Sequence, residues 1–339
     1  MSAYPFATLG ERLPVALLTG FLGSGKTTLL NRLLRHPDMA RTAVVINEYG
    51  AIGIDPLFVE RSDGEVTVLT NGCLCCDVQG DLEGVIGTLF GQRDRGEVPS
   101  FDRMVIETTG LADPAPIMQM LLNQPLVVDN FRLDALITTV DAVHALRQLK
   151  EQPEATKQIA LADRLVLTKS DLATDEQMQA VHEQLASINP RATRLFANTE
   201  PGPDDLFGVD HSQIIHDPQL LAPLHSHLHD IDSFSIQTDT VIDWQRFSRF
   251  LTQFRVSHAD QLLRVKGVLN VHGESVPIAI HGVHHVFHPP IRLAGWPAGD
   301  SRLSRIVFIT RGLPRSTVES AWHAHFDDTA GRMDARVTA

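Results

Sequence analysis

Residues 20–28 read GFLGSGKTT, and this stretch decides the fold of the chain. An apolar run at 14–18 precedes it and predicts a buried parallel strand, and a run with helical spacing at 28–34 follows it. Glycines between a strand and a helix let backbone N–H groups point at a polyphosphate, beside a helix N-terminus. The alternative is a tight turn with a structural role only, and it gives no reason for the lysine and the threonine. We therefore predict a phosphate-binding loop, in which the Lys26 amine binds the β- and γ-phosphates and the Thr27 hydroxyl binds Mg²⁺. The residues predicted to contact the nucleotide are Gly20, Gly23, Ser24, Gly25, Lys26, Thr27 and Thr28.

The bulk properties of the chain narrow its class. It has 339 residues, which suggests two domains, and a formal net charge of -12 without a basic tract. Such a charge argues against non-specific binding to nucleic acid or to anionic membranes. No basic segment precedes a long apolar core near the N-terminus, and no apolar run approaches a membrane span. We expect a cytoplasmic protein that binds neither nucleic acid nor membrane.

The first two thirds of the chain alternate between apolar runs and runs with helical periodicity. This alternation predicts an α/β fold of the P-loop NTPase type, a parallel sheet with helices on both faces. Besides the helix after the phosphate loop, the predicted helices are 81–95, 115–122, 154–160 and 175–187. The predicted strands are 15–19, 42–47, 66–69, 103–107, 135–140, 164–167 and 193–196.

The pattern changes near Gly202, where Pro201-Gly202-Pro203 and a polar stretch predict a linker. Alternating strands and two helices follow, one beginning after Asp243 and one after Pro314, which predicts a smaller α+β domain. The predicted boundaries are 12–200 for the phosphate-loop domain, 201–230 for the linker and 231–328 for the second domain. The predicted strands of the second domain are 233–237, 262–271, 276–287 and 304–309.

A strand that ends in an acid is followed closely by a glycine in Met104-Val-Ile-Glu-Thr-Thr-Gly110. This order suits a carboxylate, Glu107, on the Mg²⁺ shell and a Gly110 N–H on the γ-phosphate. An ordinary strand terminus would show the same short pattern. We take Glu107 as a candidate catalytic and magnesium-binding residue and Gly110 as a nucleotide contact.

The stretch Leu165-Val-Leu-Thr-Lys-Ser-Asp171 predicts a buried strand that delivers Lys169 and Asp171 to a sheet edge, where ligands bind in open α/β sheets. A carboxylate there accepts hydrogen bonds from guanine N1–H and its exocyclic amine, a pair that adenine lacks. The alternative is a solvated charge pair after a strand. We predict that Lys169 and Asp171 bind guanine.

The segment Asn47-Glu-Tyr-Gly-Ala-Ile-Gly-Ile-Asp55 follows a strand and is acidic and rich in glycine. Such a loop can order around a γ-phosphate and relax after hydrolysis. Glu48 and Asp55 are the candidates for orienting water or Mg²⁺. A plain surface loop is the alternative.

The chain has 3 cysteines, and all lie in Gly72-Cys-Leu-Cys-Cys76. A disulfide framework would spread them along the chain, whereas clustered thiolates suit a soft cation such as Zn²⁺, with Co²⁺ as a further possibility. The alternative is three buried thiols that pack as small hydrophobes. The cluster lies between two segments expected to sense the γ-phosphate, so we predict that GTP state and metal affinity are coupled. The predicted ligands are Cys73, Cys75 and Cys76.

Histidines are frequent after residue 210. His225, His227 and His229 alternate and would share one face of an extended chain, so they are candidate metal ligands. A polar linker that happens to be rich in histidine is an equal alternative. Scattered packing or solvated roles are the expectation for the histidines of the predicted strand 276–287 and the residue after it, His281, His284, His285 and His288.

These segments, in this order, resemble the CobW-type GTPases, a metallochaperone family of the SIMIBI class. The most family-specific element is GCLCC between the phosphate loop and ETTG. The resemblance covers nearly the whole chain, and it is carried by GFLGSGKTT, NEYGAIGID, GCLCC, ETTGLADPAP, TKSD, the histidine-containing linker, LLRVKGVLNVHGESVPIAIHGVHHVFH and SRIVFITR.

The resemblance implies GTP hydrolysis with Mg²⁺, a transition metal at the cysteine motif, an N-terminal GTPase domain and a CobW-type C-terminal domain. Two residues depart from the pattern: Thr168 stands where many GTPases have asparagine, and Ala51 where many relatives have glutamate. By motif, Lys26 and Thr27 serve phosphate and Mg²⁺, Glu107 takes the Walker-B-like position, Asp171 binds guanine, and Cys75 and Cys76 are the firmest metal ligands beside Cys73.

The function predicted from the sequence is a GTP-dependent metallochaperone that delivers its metal to a client metalloprotein. We expect slow intrinsic GTP turnover, and a homodimer that depends on nucleotide or metal. One alternative is a regulator or activator of a metalloenzyme that uses GTP as a switch. Another is a P-loop small-molecule kinase, against which TKSD and GCLCC argue.

Overall fold

The structure is a computed structural model that describes residues 12–47, 55–62, 65–70, 82–208, 224–225, 230–287, 289–297 and 299–326. For residues 47, 55–62, 65–70, 126 and 224–225 it describes the backbone alone. The chain divides into two compact units, one within residues 10–209 and the other containing residues 210–339. None of the described helices combines the length and the apolar character needed to cross a bilayer.

The first unit is built on one sheet with the strand order β4-β3-β2-β5-β1-β6-β7-β8. The strands are β1 (Leu13–Gly20), β2 (Thr42–Asn47), β3 (Asp55–Ser62), β4 (Glu65–Thr70), β5 (Arg103–Thr108), β6 (Phe131–Asp141), β7 (Arg164–Thr168) and β8 (Thr193–Phe196). The helices are α1 (Lys26–Leu33), α2 (Leu82–Asp94), α3 (Ala115–Asn123), α4 (Pro125–Asn130), α5 (Ala145–Glu151), α6 (Pro153–Leu161), α7 (Asp175–Ile188) and α8 (Pro203–Leu206).

Six of these strands, from β2 to β8 along the sheet, are parallel, which confirms the predicted fold class. β1 lies between β5 and β6, and its residues from Val15 onward are buried. The chain passes from β1 to one side of the sheet and later returns to the other side, so the carboxyl end of β1 is a switch point where ligands bind in such sheets. The phosphate loop begins there.

Two predictions for this unit are wrong. The sequence predicts Asp55 in a loop, but it is the first residue of β3. The sequence also predicts strand 66–69 as part of the parallel sheet, but β3 is antiparallel to β2, and β4 pairs with β3 as an antiparallel hairpin. Only two residues, Asp63 and Gly64, separate these strands, and so short a connection permits antiparallel pairing alone. Asp-Gly between strand-like runs is itself a hairpin signal, and it identifies both strands from the sequence.

The second unit contains an antiparallel sheet in the order β13-β12-β11-β15-β10-β9, with β14 beside β12. Its core contains Phe247 and Phe250 from the helix Trp244–Ser257 and Trp322 from the helix Arg315–Phe326. The ring centres of Phe250 and Trp322 are 5.5 Å apart. The elements are β9 (Leu224–His225), β10 (Ile231–Thr238), α9 (Trp244–Ser257), β11 (Leu262–Leu269), β12 (Ile278–Val283), β13 (Val286–Phe287), β14 (Ile291–Arg292), β15 (Ser304–Arg311) and α10 (Arg315–Phe326).

The structure also corrects details near and within this unit. The predicted strand 276–287 breaks at a turn through His284 and His285, where His284 has a φ of 50°, so β12 and β13 form a hairpin. Hairpin turns need a positive φ, and the sequence at this point has no glycine to announce one. Helix α8 and the short strand β9 both fall inside the segment predicted as a linker.

Candidate nucleotide-binding site

The phosphate loop, residues 20–27, joins β1 to α1 with its lysine turned inward. Lys26 is the first residue of α1, and its amine donates to the Gly20 carbonyl at 2.9 Å. A Cβ on Gly20, whose φ is +139°, would lie 2.7 Å from the Ser24 hydroxyl, so only glycine fits there. Ser24 in turn shares a hydrogen bond of 2.6 Å with Thr139 on β6. The loop is therefore fixed to the strand on one side and closes around its own lysine.

Two oxygen groups that are both predicted to bind Mg²⁺ meet at the start of α1. The Thr27 hydroxyl donates to Glu107 Oε1 at 2.6 Å, and Glu107 is buried at the end of β5. A hydroxyl and a carboxylate are hard oxygen donors of the kind that Mg²⁺ prefers, usually with waters and substrate phosphates completing its shell. The residues present thus suit Mg²⁺.

Gly110 lies directly against the phosphate loop. A Cβ on Gly110 would be 2.7 Å from the Leu22 backbone nitrogen and 2.8 Å from its Cα. Gly110 therefore packs against the loop at a distance that no side chain allows. The residue predicted to donate its N–H to the γ-phosphate is therefore in contact with the phosphate loop.

The predicted guanine segment is bonded to the same loop. The Lys169 amine donates to the Gly23 carbonyl at 3.0 Å and to Asp141 Oδ2 at 2.6 Å. Asp171 lies two residues further on, in the turn Ser170–Leu172, and is exposed. Lys169 and Asp171 are therefore at the edge of the sheet where the phosphate loop lies.

Asp141, at the end of β6, is a site residue that the sequence analysis missed. Its buried carboxylate accepts hydrogen bonds from Lys169 and from the His144 ring at 2.9 Å. Burial opposes the ionisation of Asp141, but the hydrogen bonds from Lys169 and His144 outweigh it and hold its pKa below the ordinary value. The charge of Asp141 therefore fixes the position of Lys169. An acid at the end of the strand beside β1 was the available signal.

Two further contacts lie beside the predicted guanine segment. The Thr168 hydroxyl donates to the Ser24 carbonyl at 2.8 Å, so the residue that replaces asparagine still holds the phosphate loop. The turn Ala197–Thr199 follows β8 and lies against the turn Ser170–Leu172, and Arg32 of α1 donates to the Ala197 carbonyl. The sequence predicts no role for this turn. Its position directly after a strand, at the edge of the sheet where the other strands end, is the signal that could have indicated one.

Several predicted site residues lie outside the described residues: Glu48, Cys73, Cys75, Cys76, His227 and His229, and the side chains of Asp55 and His225. Within the described ranges, no group of three or more histidine, cysteine, aspartate or glutamate side chains is placed to hold a metal ion. The cysteine motif and the histidine cluster stay predictions.

We expect Asp141→Asn to lower the free energy of unfolding by about 1.5–3 kcal/mol at pH 7, because charge-assisted hydrogen bonds are lost. The folded pKa lies below the unfolded value of about 3.9, so this contribution is complete above that value and disappears as the pH falls through the folded pKa. The difference between variant and wild type should therefore shrink at acid pH. Urea denaturation at pH 7 and at about pH 3 measures it.

Asp102→Asn is the matched control, since the 2.7 Å ion pair of Asp102 with Arg41 is exposed on both sides and should contribute little. An equal loss in the control, or a difference that widens at acid pH, would contradict this account of Asp141.

Comparison with known proteins places this site in a family. Residues 14–196 match the CobW/HypB/UreG nucleotide-binding domain, and residues 231–325 match the cobalamin synthesis protein CobW C-terminal domain. The chain is 35% identical over 321 residues to the zinc chaperone YjiA of Escherichia coli, covering 91% of this chain and 98% of YjiA. It is 34% identical over 186 residues to zinc-regulated GTPase metalloprotein activator 1 of Schizosaccharomyces pombe, covering 53% of this chain and 44% of that protein.

The crystal structure of Zn(II)-bound YjiA GTPase from E. coli is similar to this one, with a TM-score of 0.69 and 32% identity over 93% of this chain and 99% of YjiA. The nucleotide-binding match alone spans more than half of the chain, and the second match covers most of the second unit. The chain therefore belongs to the CobW family of P-loop GTPases, with a nucleotide-binding domain followed by a CobW C-terminal domain.

Proposed function

We propose that the chain is a GTP-dependent metallochaperone. It binds and hydrolyses GTP with Mg²⁺, holds a transition metal ion of the Zn²⁺ or Co²⁺ class at Cys73, Cys75 and Cys76, and delivers it to a client metalloprotein in the cytoplasm. The supporting observation is that three motifs meet at one sheet edge: Thr27 donates a hydrogen bond to Glu107, Gly110 packs against Leu22, and Lys169 donates to the Gly23 carbonyl. The similarity to a zinc chaperone supports the choice of cargo.

The hydrolytic chemistry follows from these positions. The Lys26 amine would stabilise charge on the β- and γ-phosphates, and Thr27 and Glu107 would hold Mg²⁺, which neutralises charge on the phosphate oxygens. The Gly110 N–H would donate to the γ-phosphate. Asp171 would select guanine over adenine. Glu48 and Asp55 are the proposed water-orienting residues, and we expect slow turnover until a partner or metal completes the site.

The metal would respond to the nucleotide through the segments on either side of the cysteines. Residues 71–81, which contain the motif, connect the end of β4 to the start of α2. On one side, β3 and β4 follow the acidic segment that contains Glu48; on the other, β5 leads to Glu107 and Gly110. If GTP tightens metal binding, metal must tighten GTP binding by the same factor. We also propose that the chain forms a homodimer when nucleotide or metal is bound.

Competition titration of Zn²⁺ and Co²⁺ against apo, GDP-bound and GTP-analogue-bound protein tests the proposal. We expect the analogue to tighten metal affinity by about 5- to 150-fold relative to GDP, and affinity to rise with pH because thiols lose protons on binding. Cys75→Ser and Cys76→Ser should abolish tight binding, whereas His272→Asn, an exposed metal-capable residue outside the motif, should bind like wild type. Equal affinity in all three nucleotide states, with no loss in the serine variants, would favour a GTP-switched regulator that carries no metal.

A further inference from the structure

Helix α6 holds the loop that follows β5. We call residues 109–113 the Gly110 loop. The Gln158 side-chain amide of α6 donates to the Ala112 carbonyl at 3.0 Å and to the Gly110 carbonyl at 3.3 Å. The neighbouring Lys157 amine donates to Asp113 at 2.8 Å. Two consecutive residues of α6 therefore fix three positions of the loop from one side.

The phosphate loop limits the Gly110 loop from the other side. Gly110 approaches the Leu22 backbone so closely that no Cβ fits between them. Its peptide thus lies between the phosphate loop and Gln158. The hydrogen bond from Gln158 holds the Gly110 carbonyl and so the peptide plane between Gly110 and Leu111, while the packing against Leu22 limits the other side of the residue.

Gln158 itself is held in one place. Its side chain is 1% exposed, and the Thr138 hydroxyl donates to its backbone carbonyl at 3.0 Å. Among the described residues, the Gln158 Oε1 atom is buried and has no hydrogen-bond partner, beside a cavity of about 10 Å³ that Phe21 and Thr139 also line. A buried polar side chain whose oxygen is unsatisfied costs stability, and an apolar residue of this size would avoid the cost. The amide donors are therefore the feature that distinguishes Gln158 from an apolar residue.

We propose that Gln158 is the positioning residue that orients Gly110 toward the third phosphate, so that Gln158 sets the preference for GTP over GDP. This inference rests on the part of the proposed function in which the Gly110 N–H contacts the γ-phosphate. GDP lacks that phosphate, so its binding does not depend on the orientation of Gly110. Gln158 does not touch the nucleotide and acts through Gly110 alone.

Equilibrium binding of fluorescent GDP and of a non-hydrolysable fluorescent GTP analogue to the full chain, with Mg²⁺ and without transition metal, tests this role. Gln158→Met keeps the length of the side chain and removes its donors. We expect analogue binding about tenfold weaker, from two lost hydrogen bonds, and GDP binding within about twofold of wild type. Gln158→Glu should lose more, because a carboxylate would face two carbonyl oxygens. Gln148→Met is the matched control, since Gln148 lines the same cavity and should bind both nucleotides like wild type.

Equal losses for GDP and analogue, or no loss for either, would overturn the proposal. Thermal unfolding in GDP checks that each variant is folded. Should Gln158→Met fail that check, Gln158→Asn keeps the amide and shortens its reach, and the same selective loss is expected. The nucleotide-binding assay contains no transition metal, so its outcome is independent of the metal titration. Coupling of Zn²⁺ to GTP without an effect of Gln158 would refute the positioning role alone, and the reverse result would refute the metallochaperone alone.

Discussion

Lys26→Met should lower GTP turnover by about 10²- to 10³-fold, the loss typical of removing one preorganised charge-stabilising donor. The Lys26 side chain is 9% exposed, and its amine lies over the phosphate loop with the Gly20 carbonyl at 2.9 Å. The amine is thus preorganised for the phosphates before any nucleotide arrives. Methionine retains the apolar stem and removes the charge. Phosphate release under single-turnover conditions measures the effect on the chemical step.

Lys150→Met is the control for this substitution, because Lys150 is an exposed lysine of α5 outside the loop. It should leave turnover unchanged. The loss of the Gly20 contact also releases the loop, so we expect Lys26→Met to weaken GDP binding as well. Turnover close to wild type in Lys26→Met would contradict the proposed role of the phosphate loop in GTP hydrolysis.

Gly110→Ala should weaken binding of a GTP analogue by about 10²-fold, the second large effect. Gly110 does not have a positive φ, so alanine meets no backbone strain there. The added Cβ would instead overlap the Leu22 backbone at 2.7 and 2.8 Å, and the Gly110 loop must move away from the phosphate loop. A displaced Gly110 N–H cannot reach the third phosphate, whereas GDP makes no use of it. Calorimetric titration with GDP and with the analogue separates the two.

Gly87→Ala is the matched control, since nothing lies within 4 Å of a Cβ at that position in α2. Helix propensity should raise its stability by about 0.5–1 kcal/mol without affecting nucleotide binding. Analogue affinity unchanged in Gly110→Ala would mean that the γ-phosphate is sensed elsewhere. Because this substitution moves the whole loop, its effect should exceed that of Gln158→Met.

Most of the parallel strands could be predicted because they are buried and read as continuous apolar runs. The predicted strand 193–196 has the same bounds as β8, and the predicted helices 115–122 and 175–187 each end one residue short. Thr27 and Glu107 were paired from their motifs alone, and the structure brings them into hydrogen-bond contact. Thr27 follows the loop after β1, and Glu107 lies at the end of β5. The carboxyl ends of parallel strands lie at one edge of the sheet, so the sequence alone predicts that these two residues are close.

Residues that act through long-range contacts could not be found in this way. Gln158 meets Gly110 across 48 positions of sequence, and no local pattern distinguishes it from Gln148 on α5. Asp141 depends on Lys169, which lies 28 positions away. The hairpin of β3 and β4 differs from these cases, because its signal, Asp63-Gly64 between two strand-like runs, is local and is present in the sequence.

The bonds from Thr168 to the Ser24 carbonyl and from Lys169 to the Gly23 carbonyl have a consequence for nucleotide exchange. They connect the predicted guanine segment directly to the phosphate loop, so a movement of one would be transmitted to the other. A protein that bound at the end of β7 and moved it would therefore loosen the proposed contacts to the base and to the phosphates together.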